Sequence, residues 1–453
     1  MSSRSADPAT WFAAVFLTAA LGVVQASQAA EPDRSSGPRI LDSQLRLAES
    51  LIGAIAKDKP GENITVSPAS VAGMLAAVDL GAGGVLHAAI RKTLQIEPGT
   101  TAPQDVDALR AATARRLEDG PLTSATRLMF DRSVPPTGEA LKRLSDAGVE
   151  TTTEDLHSGR AIADIDAWAA HATHGRIDHV MDRVDPLDVM IALNALYFKD
   201  NWAASFKKSE TSPGDFHTAD GRRIRATMMH SRLGSFRSRE DDRFIAVALP
   251  FRQGRFSMVV LTTKDKPLDV QQFESHLPWL TGQDFAPRDH VILDLPRFKT
   301  ESREDLMSIR TSLGLEPAGP FPNFSQKKLK ITQIKQIVDI GFDEEGAEVA
   351  AVTVGGFEIQ SRMRYANVAE IVVDKPFAFA LRDDRTGLII AAGFISALEG
   401  AAVTANDPPL SARSPHVESE AETRARNAER QPTTPEEPTV PNDHGRLNIK
   451  RDF

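Results

Sequence analysis

The chain of 453 residues contains no cysteine. That excludes disulfides, thiolate metal ligands, thiol catalysis and a lipid-modified N-terminal cysteine. It does not exclude export, because a chain of this size builds a core that needs no covalent staple. A concentration of one charge is also missing: 53 Lys and Arg stand against 62 Asp and Glu, a formal net charge of −9, and the basic residues are scattered. Nucleic acid is therefore not an expected partner. Catalytic and nucleotide signatures are absent too, with no GxSxG, HExxH or Walker A, and no GxGxxG between a strand and a helix. The glycine cluster Gly81-Ala82-Gly83-Gly84 closes a helix instead of opening one. His171 and His174 share a helix face without a convergent carboxylate. No metal, no cofactor and no enzyme activity are expected.

Long apolar runs are equally scarce. The only one, residues 11–24 (WFAAVFLTAALGVV), follows Arg4 and leads into Ser27 and Ala29 at −3 and −1 of a cut. It is too short to span a hydrocarbon core of ~30 Å. Residues 1–29 therefore read as a secretory signal, the alternative being an uncleaved N-terminal anchor. The expected product is secreted (extracellular or periplasmic), monomeric and not membrane-bound. Residues 401–453 hold seven prolines, many polar residues and few apolar ones, a composition that cannot offset the entropy of ordering. A disordered polar tail is expected there. Residues 30–37 form a short linker, and 38–400 form the folded unit.

Within that unit, Leu41, Leu45, Ala48, Ile52 and Ile55 recur at helical spacing. Ser67-Pro68 offers an N-cap and a first helical residue for a buried helix over 71–80. Residues 189–198 are continuously apolar except for Asn194, as in a strand covered on both faces. Strands are expected over 244–249, 256–261 and 291–295. Phe377, Phe379 and Leu381 alternate before a turn at 383–387, and 388–394 returns as a hairpin partner. Helices dominate the first half and strands the second, an α+β pattern.

Proline is absent between Pro322 and Pro376. The stretch 344–375 reads EEGAEVAAVTVGGFEIQSRMRYANVAEIVVDK. At period two, Ala347, Val349, Ala351, Thr353, Gly355, Phe357 and Ile359 share an uncharged face, while Glu348 and Glu358 fall on the other. Gly355-Gly356 and the polar run beyond have the context of an exposed loop. Two readings stay open: a segment coded to occupy both states, or an ordinary strand ending in a flexible connection.

These residues resemble the serpin family from about Leu41 to Ile395. Residues 63–70 (NITVSPAS) with Leu80-Gly81-Ala82, and Ile165-Asp166-Ala167-Trp168 with residues 173–177 (THGRI), follow its early motifs. Residues 194–202 (NALYFKDNW) and Leu249-Pro250-Phe251 come next in register, then Leu295-Pro296-Arg297-Phe298, residues 344–351 (EEGAEVAA) and Asp374-Lys375-Pro376-Phe377. The resemblance implies the serpin fold: one domain with three β-sheets, about nine helices and an exposed reactive-centre loop. It also implies suicide inhibition of serine endopeptidases. In that mechanism the protease cleaves the loop, is held as an acyl-enzyme in a covalent complex, and is carried away as the loop inserts into the main sheet. The implied hinge is Glu344, Glu345, Gly346, Ala347, Glu348, Val349, Ala350 and Ala351. Ala347 replaces the usual Thr or Ser, and Val349 the usual Ala. Counting from Glu344 implies a reactive bond at Gln360-Ser361, while trypsin-like specificity would favour Arg362-Met363 or Arg364-Tyr365. Ser67, Ser70, Asn194 and Trp202 match the polar cluster and aromatic that control sheet opening. Gln336 stands where the family often has His, on the face of Val338, Ile340 and Phe342, so its amide would take over the imidazole's hydrogen bonds. Arg110, Arg115 and Arg116 are interspersed with Asp105, Asp107 and Glu118, so no strong glycosaminoglycan activation is expected. The alternative function is a non-inhibitory protein of this fold, a protease substrate or ligand carrier.

Overall fold

The structure, a computed structural model, describes residues 37–94, 120–270, 276–347 and 368–403, less positions 283, 312, 314, 317, 318 and 328. The expected signal over 1–29, the expected linker before Gly37, the residues beyond Val403, the Arg110 region, residues 348–351 of the expected hinge and all reactive-bond candidates lie outside the described residues.

Helix α1 (Gly37–Asp58) buries Leu47, Ala48, Leu51, Ile52 and Ile55 along one stripe. Helix α2 (Pro68–Asp79) starts where Ser67-Pro68 predicts. Ser67 is extended at the N-cap and its Oγ accepts from the Ser70 N–H at 3.1 Å. Ten of its residues are buried, so this apolar helix runs through the interior. Helices α3 (Gly84–Thr93), α4 (Gly138–Asp146) and α5 (Gly159–Ala172) are more amphipathic. In α5, Ile165, Trp168, Ala169 and Ala172 cover Leu193, Ala195 and Ile337 of a sheet. His174 lies past the end of α5 with φ 53°, and its ring packs on Tyr197 at 4.7 Å. It is therefore not on a common helical face with His171.

The described residues contain these five α-helices, two short 3-10 turns and two sheets, where about nine helices and three sheets were expected. The sheet count falls because one 18-residue strand, Arg223–Glu240, serves two layers. Its first part pairs with Ser212–His217, its middle with Ala286–Pro296 and its last residues with Phe244–Pro250. Register shifts between Arg288 and Leu293 let the strand turn from one layer into the next. The joined sheet has ten strands and includes the hairpin Phe377–Asp383 and Ile389–Ile395. Ala401–Ala402 pair with Ile224 and Arg225, so the described chain stays on the sheet to its end.

The other sheet has seven strands. Met190–Phe198 pairs antiparallel with Leu122–Asp131, and Gln333–Phe342 pairs antiparallel with Phe298–Asp305. Those two antiparallel pairs meet along a parallel seam of seven paired positions, from Ile191 opposite Gln333 to Tyr197 opposite Asp339. Every residue of Met190–Phe198 is buried, as its unbroken apolar run requires. Helix α5 covers one face of the seam. The other face meets the main core, where Leu196, Val338 and Ile340 join the joined sheet's Val247 and Phe379.

Gly393 marks a close approach. A Cβ there would stand 2.5 Å from both the Ile64 carbonyl oxygen and the Phe379 ring. Gly393→Ala should destabilise the chain by about 1–3 kcal/mol. Gly138→Ala, with open space around it, should lie within about 0.5 kcal/mol of the parent. Denaturant midpoints of the two variants check this.

Candidate functional site

At the upper end of the seam the chain leaves the strand Gln333–Phe342, turns through Asp343, and returns as the two-residue strand Gly346–Ala347. The turn is local chemistry. The Asp343 carboxylate accepts from the Glu345 and Gly346 N–H groups at 2.8 and 3.3 Å, and the Asp343 N–H donates to the Gly346 carbonyl at 2.9 Å. Gly346 has φ 151°, and a Cβ there would meet the Asp200 carbonyl oxygen at 2.2 Å, so the position requires glycine. Gly346 then pairs with Asn201, and Ala347 with both Asp200 and Phe342, antiparallel in each case. Ala347 is fully buried. The hinge thus opens as a strand already seated between the two halves of the sheet.

Trp202 anchors this corner. It is buried, stacks on Phe251 at 4.5 Å and on Phe342 at 5.8 Å, and donates from Nε1 to the Asp343 carbonyl at 2.7 Å. Its backbone N–H donates to the Glu345 carbonyl at 2.8 Å, and the Phe206 N–H to the Glu344 carbonyl at 2.9 Å. Two ion pairs complete the grip. Glu344, itself buried, accepts from Arg297 through both oxygens at 2.6 and 2.7 Å. Lys208 donates to Glu345 at 2.5 Å, and that hydrogen bond raises the lysine above its ordinary value. Burial works against the Glu344 charge, but the Arg297 hydrogen bonds and the neighbouring donors outweigh it and hold the carboxyl below its usual range. Asp343 shifts the other way, raised by burial.

Lower on the seam lies a polar layer. Gln336 is fully buried, and its amide pairs with the backbone of one residue: Oε1 accepts from the Ser67 N–H at 3.2 Å, and Nε2 donates to the Ser67 carbonyl at 3.0 Å. Ser67 Oγ donates to the Ile390 carbonyl at 2.5 Å, and Ser70 Oγ meets Ser124 Oγ at 3.2 Å. The start of α2 is thereby tied to the strand Gln333–Phe342. Asn194 stands directly opposite Gln336 across the seam, but its Nδ2 donates the other way, to the Ala125 carbonyl and Thr126 Oγ1 at 3.1 Å each. Its Oδ1 is buried without a hydrogen-bond partner among the described residues.

The residues expected to control opening therefore fall in two places. Ser67, Ser70 and Gln336 form one bonded cluster with Asn194 beside it in register. Trp202 sits apart from them, with Glu344, Glu345, Gly346 and Ala347. Sequence reasoning did not single out Arg297 or Lys208 as hinge partners. Their partners lie 47 and 137 positions away in the chain, and no local pattern signals the pairing.

A carboxyl whose folded pKa lies below its unfolded value stabilises the fold above the unfolded value, and that contribution is lost as pH falls through the folded one. Arg297→Ala should therefore cost about 1–2 kcal/mol at neutral pH, less than for a fully enclosed pair because Arg297 is half exposed. The gap between variant and parent should close as pH drops below the ordinary glutamate value near 4.5. Thermal midpoints measured across that window decide it.

Comparison with known proteins gives one consistent result. The sequence pattern of the family described as Serpin (serine protease inhibitor) matches residues 42–397. Iripin-3 from Ixodes ricinus is 28% identical over 384 residues, covering 79% of this chain and 95% of the tick protein. The native-state structure of the thermophilic serpin tengpin superposes with a TM-score of 0.69 at 22% identity, covering 81% of this chain and 95% of tengpin. Human thyroxine-binding globulin, solved with its ligand, superposes at 0.72 with 18% identity, covering 80% of this chain and 99% of the globulin. With 356 consecutive positions matched by one family pattern and the same fold in solved members, the chain belongs to the serpin family.

Proposed function

We propose that this serpin is a suicide inhibitor of serine endopeptidases. The observation that carries the reading is the seating of Gly346–Ala347 at the mouth of the parallel seam, antiparallel to both neighbours. Extending that strand downward replaces seven parallel pairings with two antiparallel ladders, which are slightly more stable per residue. The uncharged face of 347–359 would point into the core, and no proline forfeits a ladder bond. Fourteen residues from Gly346 at ~3.3 Å each reach roughly 46 Å, enough to carry an attached protease the length of the sheet.

Register adds a specific feature. Carried downward from Ala347–Phe342 and from Gly346–Asn201, both ladders bring Thr353 between Asn194 and Gln336. Thr353 is the one polar side chain on the inward face. Its hydroxyl would reach the layer where Asn194 Oδ1 lacks a donor. The inserted strand thus has a polar group where the core is polar and apolar or small groups elsewhere.

In this reading the protease supplies the catalytic groups. Its serine attacks the loop carbonyl at Gln360, Arg362 or Arg364 and releases the amine of Ser361, Met363 or Tyr365. Insertion then outruns hydrolysis of the ester. Protein of this kind acts as a monomer, and residues 1–29 support export. Among the described residues no helix is long and apolar enough to cross a membrane. A second reading, a cleaved substrate without inhibition or a ligand carrier, draws on Val349, whose branched bulk at an inward position slows insertion.

Incubation with trypsin-like, chymotrypsin-like and elastase-like proteases should give, with at least one, a covalent complex that survives a denaturing gel. A clipped chain alone would favour the second reading. Ala351→Arg should abolish the complex while leaving cleavage intact, because insertion would bury an unpaired charge at this inward position, whereas Ala347 is buried before any cut. Cleaved parent chain should melt at a markedly higher temperature than intact chain, and cleaved Ala351→Arg should not.

A further inference from the structure

Away from the hinge, three neighbouring strands of the joined sheet bring together a serine, a histidine and an aspartate. Ser212 is the first residue of Ser212–His217 and pairs with Met228. His230 lies two residues beyond Met228, on the same side of the pleat, and faces Asp294 across the next ladder. Ser212 Oγ is 3.1 Å from His230 Nε2, and His230 Nδ1 is 2.5 Å from Asp294 Oδ1. Burial is graded along the row: Asp294 is 3% exposed, His230 9%, and Ser212 is open to solvent.

We propose that Ser212, His230 and Asp294 form a nucleophilic triad that makes Ser212 an acceptor for activated carboxylic esters. An ionised Asp294 only accepts hydrogen bonds, so it places the imidazole proton on Nδ1 and leaves Nε2 to accept from the Ser212 hydroxyl. Asp294 is a positioning residue. Ser212 is the nucleophile and His230 its base. In the acyl transfer, Ser212 Oγ bonds to the ester carbonyl carbon as its proton passes to His230 Nε2. The tetrahedral adduct then expels the alkoxide, which takes that proton from His230. The products are an ester on Ser212 and a free alcohol. The nucleophile is exposed at the first position of its strand, so the substrates are small esters with good leaving groups, such as aryl esters, and not peptides.

The three residues are 18 and 64 positions apart in no motif, and only the strand order brings them together. The test treats the intact, full-length chain with a fluorophosphonate probe and with p-nitrophenyl acetate, and maps adducts by mass spectrometry. Ser212 should carry the dominant adduct with both reagents, and Ser212→Ala should lose it with an unchanged melting temperature. His230→Gln should slow labelling roughly 10²-fold. Free imidazole should restore part of the rate to His230→Ala, which a structural role would not. Asp294→Asn keeps the shape but donates to Nδ1, moving the ring proton to Nε2, and should slow labelling comparably. Should the His230 or Asp294 variants fold poorly, the parent's adduct map and Ser212→Ala still decide. Adducts spread evenly over the serines, or a Ser212 rate indifferent to His230→Gln, would overturn the triad.

Discussion

The parallel pairing of Met190–Phe198 with Gln333–Phe342 is the constraint on which the rest of the molecule depends. Each strand already has an antiparallel partner on its outer side, so the seam is where two stable pairs are pressed together by what packs over them. Helix α5 lies across one face, and the main core closes the other. The apolar side chains of the seam are buried. In the proposed insertion both strands would gain an antiparallel partner from the same chain, continuing the pairing that Gly346–Ala347 begin.

Two sets of interactions hold the seam as it is. Near the hinge, Trp202, Arg297 and Lys208 fix the turn at Asp343 through an aromatic stack, a bidentate ion pair and an exposed ion pair. Lower down, the Gln336 amide clasps Ser67 and so ties α2 to the sheet. The asymmetry at Asn194 is informative. It bonds toward Leu122–Asp131 and leaves its oxygen unpartnered at the seam, so the polar layer is complete on one side and open on the other. A buried acceptor without a donor costs about 1–3 kcal/mol, and under the proposed insertion Thr353 would supply that donor.

Much of this was legible in the sequence. Residues 189–198 signalled a doubly covered strand through an apolar run broken only by Asn194, and Ser67-Pro68 fixed the start of α2 through capping chemistry. Face alternation placed Gln336 toward the core, and the structure gives its amide two bonds to Ser67. The remainder depended on three-dimensional neighbours. Asn194 was expected among the serines, but the strand beside it offers nearer acceptors. Trp202, expected as the aromatic that controls sheet opening, stands at the hinge, stacked on Phe251 and Phe342. The union of two layers through Arg223–Glu240 was invisible because the apolar residues of that strand thin out after Met229, where His230, Ser231, Arg232, Arg237 and Arg239 interrupt the pattern. Pairings such as Arg297 with Glu344, or His230 with Asp294, follow from strand order, which no single segment encodes.

The most direct measurement is the structure of the chain after a single cut in the segment between Gln360 and Tyr365. The account predicts Asn194 and Gln336 separated by a new strand, with Thr353 level with both and its hydroxyl on Asn194 Oδ1. If Asn194 and Gln336 stay paired in the cut molecule, with residues 348–359 outside the sheet, the account is contradicted.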